Sequence, residues 1–202
     1  MRGDRSTALA AEERLLLKAR AYGLCARLLA GAGDEWETTL EEIRGILERL
    51  GRAAPPLPQT TAAGPLEPEI TRLFVRGVVA PYETSYATSR GSPGGKNLQM
   101  ADIAGFYRAF GFRVQGERPD HVVPELEFVA LLYVKEAHAR LAQETEGAQV
   151  CLDARTKFLR EHLAPWLPAF RDRVVEEAAH PGLASLANAI VSLVTADAAE
   201  VA

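Results

Sequence analysis

Apolar residues recur at alternating spacings of three and four along most of this chain, and no segment alternates convincingly with period two. Such a pattern lays a stripe along one side of a helix and leaves no sheet to build. Leu15, Ala19, Tyr22, Ala26 and Leu29 mark the first stripe, which Gly31 and Gly33 end. Asp34 followed three residues later by Glu37 resembles a capping box, and behind it Trp36, Leu40, Ile43, Leu47 and Leu50 carry a second helix up to Gly51.

Prolines and glycines then set the punctuation. Residues 52–65 (RAAPPLPQTTAAGP) hold four prolines and no periodicity, which predicts a connector, because proline lacks the amide proton a helix interior needs. A third helix with Ile70, Leu73, Phe74 and Val78 is expected to run to about Ala80, where Pro81 stops it. Residues 81–97 (PYETSYATSRGSPGGKN) read as a long exposed loop, a kind of segment that tends to be functional. Met100, Ile103, Tyr107 and Phe110 form the next helical face, closed at Gly111, and a second loop covers 112–118. Helices are expected at about 121–145, 148–163, 166–179 and 183–197. The expectation is an all-α globule of about eight helices, forming a single domain over residues 1–202.

A chain of 202 residues is long enough to bury one sizeable core without disulfide or metal. Cys25 and Cys151 each sit in an apolar helical stretch and read as small buried hydrophobes. Twenty-three basic against 27 acidic residues give a formal charge of -4, and no basic stripe of the kind nucleic acid demands is present. That mild acidity suits a basic peptide partner. Glu12, Glu13 and Arg14 interrupt the first apolar stretch, so no signal peptide is read there, and no window reaches the roughly 20 apolar residues of a membrane span. The Arg2-Gly3-Asp4 tripeptide reads as chance.

Gly91-Ser92-Pro93-Gly94-Gly95-Lys96-Asn97 invites comparison with a phosphate-binding loop. Its glycine spacing is one residue short, Asn97 stands where Ser or Thr would hold magnesium, and no strand precedes it. The histidines at 121, 138, 162 and 180 never lie within a turn of one another and neither cysteine is near one, so no metal site is predicted. His138 and His162 read as polar-face or packing residues, and His180 as a helix C-terminal residue before Pro181-Gly182.

The stretch Arg118-Pro119-Asp120-His121-Val122-Val123-Pro124-Glu125-Leu126-Glu127-Phe128 says more. Pro124 is tolerated only in a first helical turn, which puts Asp120 and His121 at or just outside the N-terminus, on the surface. Asp120 reads either as the N-cap or as part of a polar contact site, with His121 beside it. Leu126, Val129, Tyr133 and Ala137, widened by Phe128, Leu131 and Leu132, make the helix behind them central. A hydrolase built on Asp120 and His121 would need a nucleophile, for which only Ser85 offers itself. A helical ligand-sensing or interaction domain without catalysis is the alternative reading.

PDHVVPELEF followed by VKE resembles the signature of the TorD/DmsD/NarJ-like redox enzyme maturation proteins, chaperones of molybdenum enzymes. Ala101-Asp102-Ile103-Ala104-Gly105-Phe106-Tyr107-Arg108-Ala109-Phe110-Gly111 is similar to the segment preceding it, and Phe158-Leu159 with His162-Leu163-Ala164-Pro165-Trp166 to a later one. This version looks most like the chaperones of type II enzymes of the dimethyl sulfoxide reductase family. The resemblance implies a cytoplasmic, TorD-like, non-enzymatic chaperone with no cofactor of its own, a monomer or homodimer without stable membrane insertion. Its partner would be the catalytic subunit of a molybdopterin oxidoreductase, held by an N-terminal twin-arginine leader until the molybdenum cofactor is inserted. Asp120 and His121 match the family's Asp-His pair, and Pro81 and Tyr82 its Pro-aromatic pair. To these the residues add Glu83 and Tyr86, since arginines call for carboxylates and aromatic faces. The loop carrying residues 81–86 must then fold back near Asp120.

Overall fold

The computed structural model describes residues 4–31, 35–56, 65–86 and 95–200, with side chains from residue 11 onward. Among them nine α-helices and no strand occur: α1 (Asp4–Leu29), α2 (Trp36–Arg49), α3 (Glu67–Ile70), α4 (Glu83–Tyr86), α5 (Gly95–Ala109), α6 (Val122–Leu141), α7 (Thr145–Phe158), α8 (Leu167–Glu177) and α9 (Pro181–Glu200). Two of them widen at their C-terminal ends into π-helical turns, α3 through Thr71–Val75 and α7 through Leu159–Leu163. The all-helical expectation is thus met.

The apolar stripes explain the packing. α6 lies between α1 and α7 and contributes Leu126, Phe128, Val129, Leu132 and Tyr133, all fully buried. α9 closes the far side against α1, α2 and α8 with Leu183, Leu186, Ile190 and Leu193. Where α9 begins, a Cβ on Gly182 would come within 2.7 Å of the Trp36 ring, so only glycine lets the two helices meet there. Ser192 Oγ and Ser185 Oγ donate to the carbonyls of Ala53 and Pro56, which straps the first part of the connector onto α9. Residues 57–64 of that connector lie outside the described residues.

Several boundaries differ from the sequence reading. The third helix ends at Val75 rather than near Ala80; Gly77, with a φ of 77°, breaks it, and Pro81 plays no part in the stop. The expected 81–97 loop is helical at both ends, as α4 and as the first residues of α5, which also remove Gly95, Lys96 and Asn97 from any loop. The rest of the phosphate-loop comparison lies outside the described residues, as does Asp34 of the expected capping box. α2 starts behind Glu35 without a side-chain cap. α8 stops at Glu177, so His180 does not serve its C-terminus; His180 Nδ1 instead accepts from the Gly182 amide at 3.1 Å, at the start of α9. Gly31 and Gly51 end α1 and α2 with left-handed φ values of 74° and 71°, and Cys25 and Cys151 are free and buried, as the sequence suggested.

α9 departs from expectation in hydropathy too: it is long and apolar enough to cross a membrane, with a mean hydropathy of 1.4. Half of that stretch is buried inside the protein, and it carries Asp197 into the interior, which is the behaviour of a core helix.

Candidate functional site

Three short runs that are distant in sequence build one polar corner. Residues 81–83 pair with residues 120–122 through an isolated antiparallel bridge between Tyr82 and His121. The Glu83 amide donates to the Asp120 carbonyl at 2.8 Å, and the Val122 amide to the Pro81 carbonyl at 2.9 Å. The segment 81–86 therefore does fold back onto the start of α6. Extended chain alternates its side chains, so this bridge points Pro81, Glu83, Asp120 and Val122 inward and leaves Tyr82 and His121 half-exposed.

Asp120 is completely buried, which corrects its expected place on the surface. It is not the N-cap either. That position belongs to His121, whose Nδ1 accepts from the Val123 amide at 3.1 Å. Asp120 instead takes a bidentate grip from Arg118, Nε to Oδ1 at 3.0 Å and Nη2 to Oδ2 at 2.8 Å, and a bond from Thr84 Oγ1 at 2.7 Å. The Arg118 guanidinium lies 4.3 Å from the centre of the Tyr82 ring, and the Tyr82 hydroxyl donates to Glu117 at 3.4 Å. Tyr82 and His121 meet edge to face at 5.3 Å. Asp120 and His121 are thus committed to different partners and form no proton relay, and Ser85 stands exposed on α4 outside both.

Burial lowers the His121 pKa, against the opposing pull of Glu117 and Asp120. A neutral ring fits its capping role, because the lone pair on Nδ1 is what accepts the amide proton.

Glu83 and Tyr86 also turn away from solvent, contrary to the idea of an exposed loop. Glu83 is buried between Gln99 Nε2, which donates to it, and His162 Nδ1 at 3.2 Å. Tyr86 stacks on Trp166 at 5.4 Å and meets Phe170 edge-on, and burial pushes its hydroxyl up to about 12. Below Glu83 lies Glu125, fully buried, with neither carboxyl oxygen hydrogen-bonded. Burial and the nearby Glu83 raise its pKa well above the usual carboxylate range, while the Trp166 indole opposes this without reaching hydrogen-bond geometry. Glu83 accepts from Gln99 and faces His162 Nδ1, whereas Glu125 has no donor, so burial favours the protonated form of Glu125.

The three motif segments converge behind this corner. Phe128 of α6 is surrounded by Tyr107 of α5 at 4.9 Å, Phe158 of α7 at 4.8 Å and Phe112 at 5.8 Å. The Tyr107 hydroxyl donates to the Pro119 carbonyl at 2.8 Å, tying the turn before Asp120 to this aromatic cluster. Sequence reasoning missed Thr84, Arg118, Glu125 and His162. Arg118, two residues before Asp120, carried a signal, since bidentate pairing is what arginine offers a carboxylate, and Glu125 and His162 lie inside the motif segments on which the family resemblance rests.

In this all-helical chain a half-exposed aromatic and cationic face thus rests on a buried carboxylate. The chain matches the family described as nitrate reductase delta subunit over residues 34–172, and it belongs to that family, which bears out the TorD-like resemblance. It is 37% identical over 112 residues to the "Chlorate reductase assembly chaperone protein" of Ideonella dechloratans, covering 54% of this chain and 57% of that one. It is 36% identical over 105 residues to the "Selenate reductase assembly chaperone protein" of Thauera selenatis, covering 50% and 52% respectively. Against a "Chaperone protein TorD" of Vibrio cholerae identity is 28% over 154 residues, 73% of this chain and 66% of that one. The matches thus span between about half and two thirds of these relatives' own lengths.

Proposed function

We propose that this protein is a cytoplasmic, non-catalytic assembly chaperone that holds the N-terminal twin-arginine leader of a molybdenum oxidoreductase catalytic subunit while its cofactor is inserted. Family membership beside relatives named as assembly chaperones supports the class of function. The observation that carries the leader reading is Arg118, which sits on Asp120 and against Tyr82 as a leader arginine would.

Arg118 is the chain's own arginine, and its side chain is 46% exposed. An incoming arginine replacing it would recover the same bidentate pairing and the same aromatic face, so little would be lost in the exchange. Lysine offers neither the fork nor the stacking and would be discriminated against. Pro81, Glu83 and Asp120 shape the site from within, Tyr82 and His121 offer the surface, and Tyr86 supports it through its packing on Trp166 and Phe170. Glu117 adds an exposed carboxylate beside Tyr82 for a second arginine.

Titration calorimetry with the N-terminal peptide of a catalytic subunit encoded beside this gene tests the reading. Wild-type protein should bind. Tyr82→Ala should weaken binding by about fivefold, from loss of a cation–π face worth ~1 kcal/mol. Arg118→Gln should strengthen it by freeing Asp120. No binding by the wild type, or equal binding of a peptide with both arginines changed to lysine, would refute the proposal.

A further inference from the structure

We propose a transition-metal site at Asp102, Glu161 and His162, where α5 meets the π-helical turn after α7. One ligand atom from each of the three lies within 4.8 Å of the others. The inference does not rest on the leader reading; it stands on how the ring of His162 is held.

His162 is 3% exposed, on the turn Leu159–Leu163, whose wider winding shows in the Ala164 amide donating to the Leu159 carbonyl. Its Nδ1 faces both oxygens of buried Glu83, at 3.2 and 3.3 Å. A carboxylate there draws the ring proton to Nδ1 and leaves the Nε2 lone pair free. This is the arrangement in which an outer carboxylate orients a metal-ligating imidazole. Nε2 is buried without a hydrogen-bond partner, yet it lies 3.3 Å from Asp102 Oδ2. The distance is within hydrogen-bond range, yet no hydrogen bond forms between the two atoms.

A close approach without a hydrogen bond is what two ligands of a shared ion show. Two ligands each about 2.0–2.1 Å from a tetrahedral metal stand about 3.4 Å apart, with the metal on the lone-pair axis and the second ligand to one side. The 3.3 Å separation of Nε2 and Oδ2 fits this edge. Glu161 closes the third position; its ion pair with Lys157, at 3.8 Å, joins two side chains more than half exposed and is weak competition. One imidazole and two carboxylates, with water completing the shell, suit Zn²⁺ or a neighbouring first-row divalent ion better than Ca²⁺ or Mg²⁺. Bound there, the ion clamps α5 to the turn that carries His162, directly behind Glu83. The competing arrangement is an imidazolium shared between Glu83 and Asp102, with no ion at all.

The test uses the full chain without an affinity tag and Zn²⁺ competed against a chromophoric chelator. One Zn²⁺ per chain is expected, weakened roughly tenfold or more by Asp102→Asn and by Glu161→Gln. Both substitutions fall on exposed side chains and keep their shape, so loss of folding does not confuse the result. Co²⁺ in place of Zn²⁺ should give weak ligand-field bands without thiolate charge transfer, excluding Cys25 and Cys151 as ligands. No Zn²⁺ binding in the wild type, binding unchanged in Asp102→Asn, or a thiolate band would each overturn the proposal.

Discussion

Asp197 and Glu125 are both fully buried carboxyl groups, yet they are held in opposite ways. Asp197 on α9 meets Lys18 at 2.8 Å, Arg52, and the Tyr22 hydroxyl at 3.0 Å, so each of its oxygens has a donor. Burial alone would raise its pKa, but Arg52 and Lys18 outweigh that and lower it. Glu125 has no hydrogen bond and a raised pKa from burial and from Glu83. The saturated cluster fastens α9 to α1 and to the connector and leaves nothing over for a partner. The unsaturated one lies under the face where the family motifs meet, beside Glu83 and His162. Incomplete pairing of a buried carboxyl calls for a specific explanation, which the fully paired Asp197 does not.

The two regions should therefore answer to pH in opposite directions. A carboxyl whose pKa is lowered by folding stabilises the protein above its unfolded value, about 3.9 for aspartate, and loses that contribution as pH falls through the folded value. A carboxyl whose pKa is raised contributes fully below about 4.3 and loses its contribution as pH rises.

Asp197→Ala offers the largest break in the comparison. It strands Lys18 and Arg52 in the interior and should cost about 3–5 kcal/mol in denaturant unfolding. A loss below ~1 kcal/mol would mean that the network is not structural. Thr84→Val comes next: removing the hydroxyl that donates to Asp120 at 2.7 Å should cost about 1–3 kcal/mol, read in the same assay. His121→Ala should cost about 1 kcal/mol through the lost cap. Its pH signature sharpens the test. Folding lowers the His121 pKa, so its contribution is present above the unfolded value of about 6.5 and fades as pH falls, because a protonated Nδ1 cannot accept the Val123 amide. The substitution should abolish that dependence between pH 7 and 5.

Glu125→Gln should have the smallest effect at low pH and the most telling sign. Glutamine imitates the protonated acid, so stability at pH 5 should match wild type while the wild-type decline toward pH 8 disappears. If Glu125→Gln instead destabilises at pH 8, the buried acid is ionised there.

Much of the architecture was legible because a helix has a single period. The stripes of α1, α2, α6 and α9 name the residues that are buried, and Pro124 located the start of α6 to within a residue. The polar corner was legible only in part. Tyr82 and His121 were rightly placed together, but three residues of extended chain carry too little alternation to show that Glu83 and Asp120 face inward. Likewise a search for histidines and cysteines one turn apart could not find Asp102 beside His162, which stand 60 positions apart in the chain.

What the sequence determined by itself, then, was local: which segments are helices, where glycine and proline end them, which faces are apolar, and which family the motifs resemble. Those properties are set by neighbours within a turn or two along the chain. Only the tertiary structure decided that Arg118 occupies Asp120, that Glu125 is left without a donor, and that His162 holds one nitrogen against Glu83 and the other beside Asp102. Each depends on where separate helices bring polar atoms in three dimensions, which no spacing along the sequence encodes.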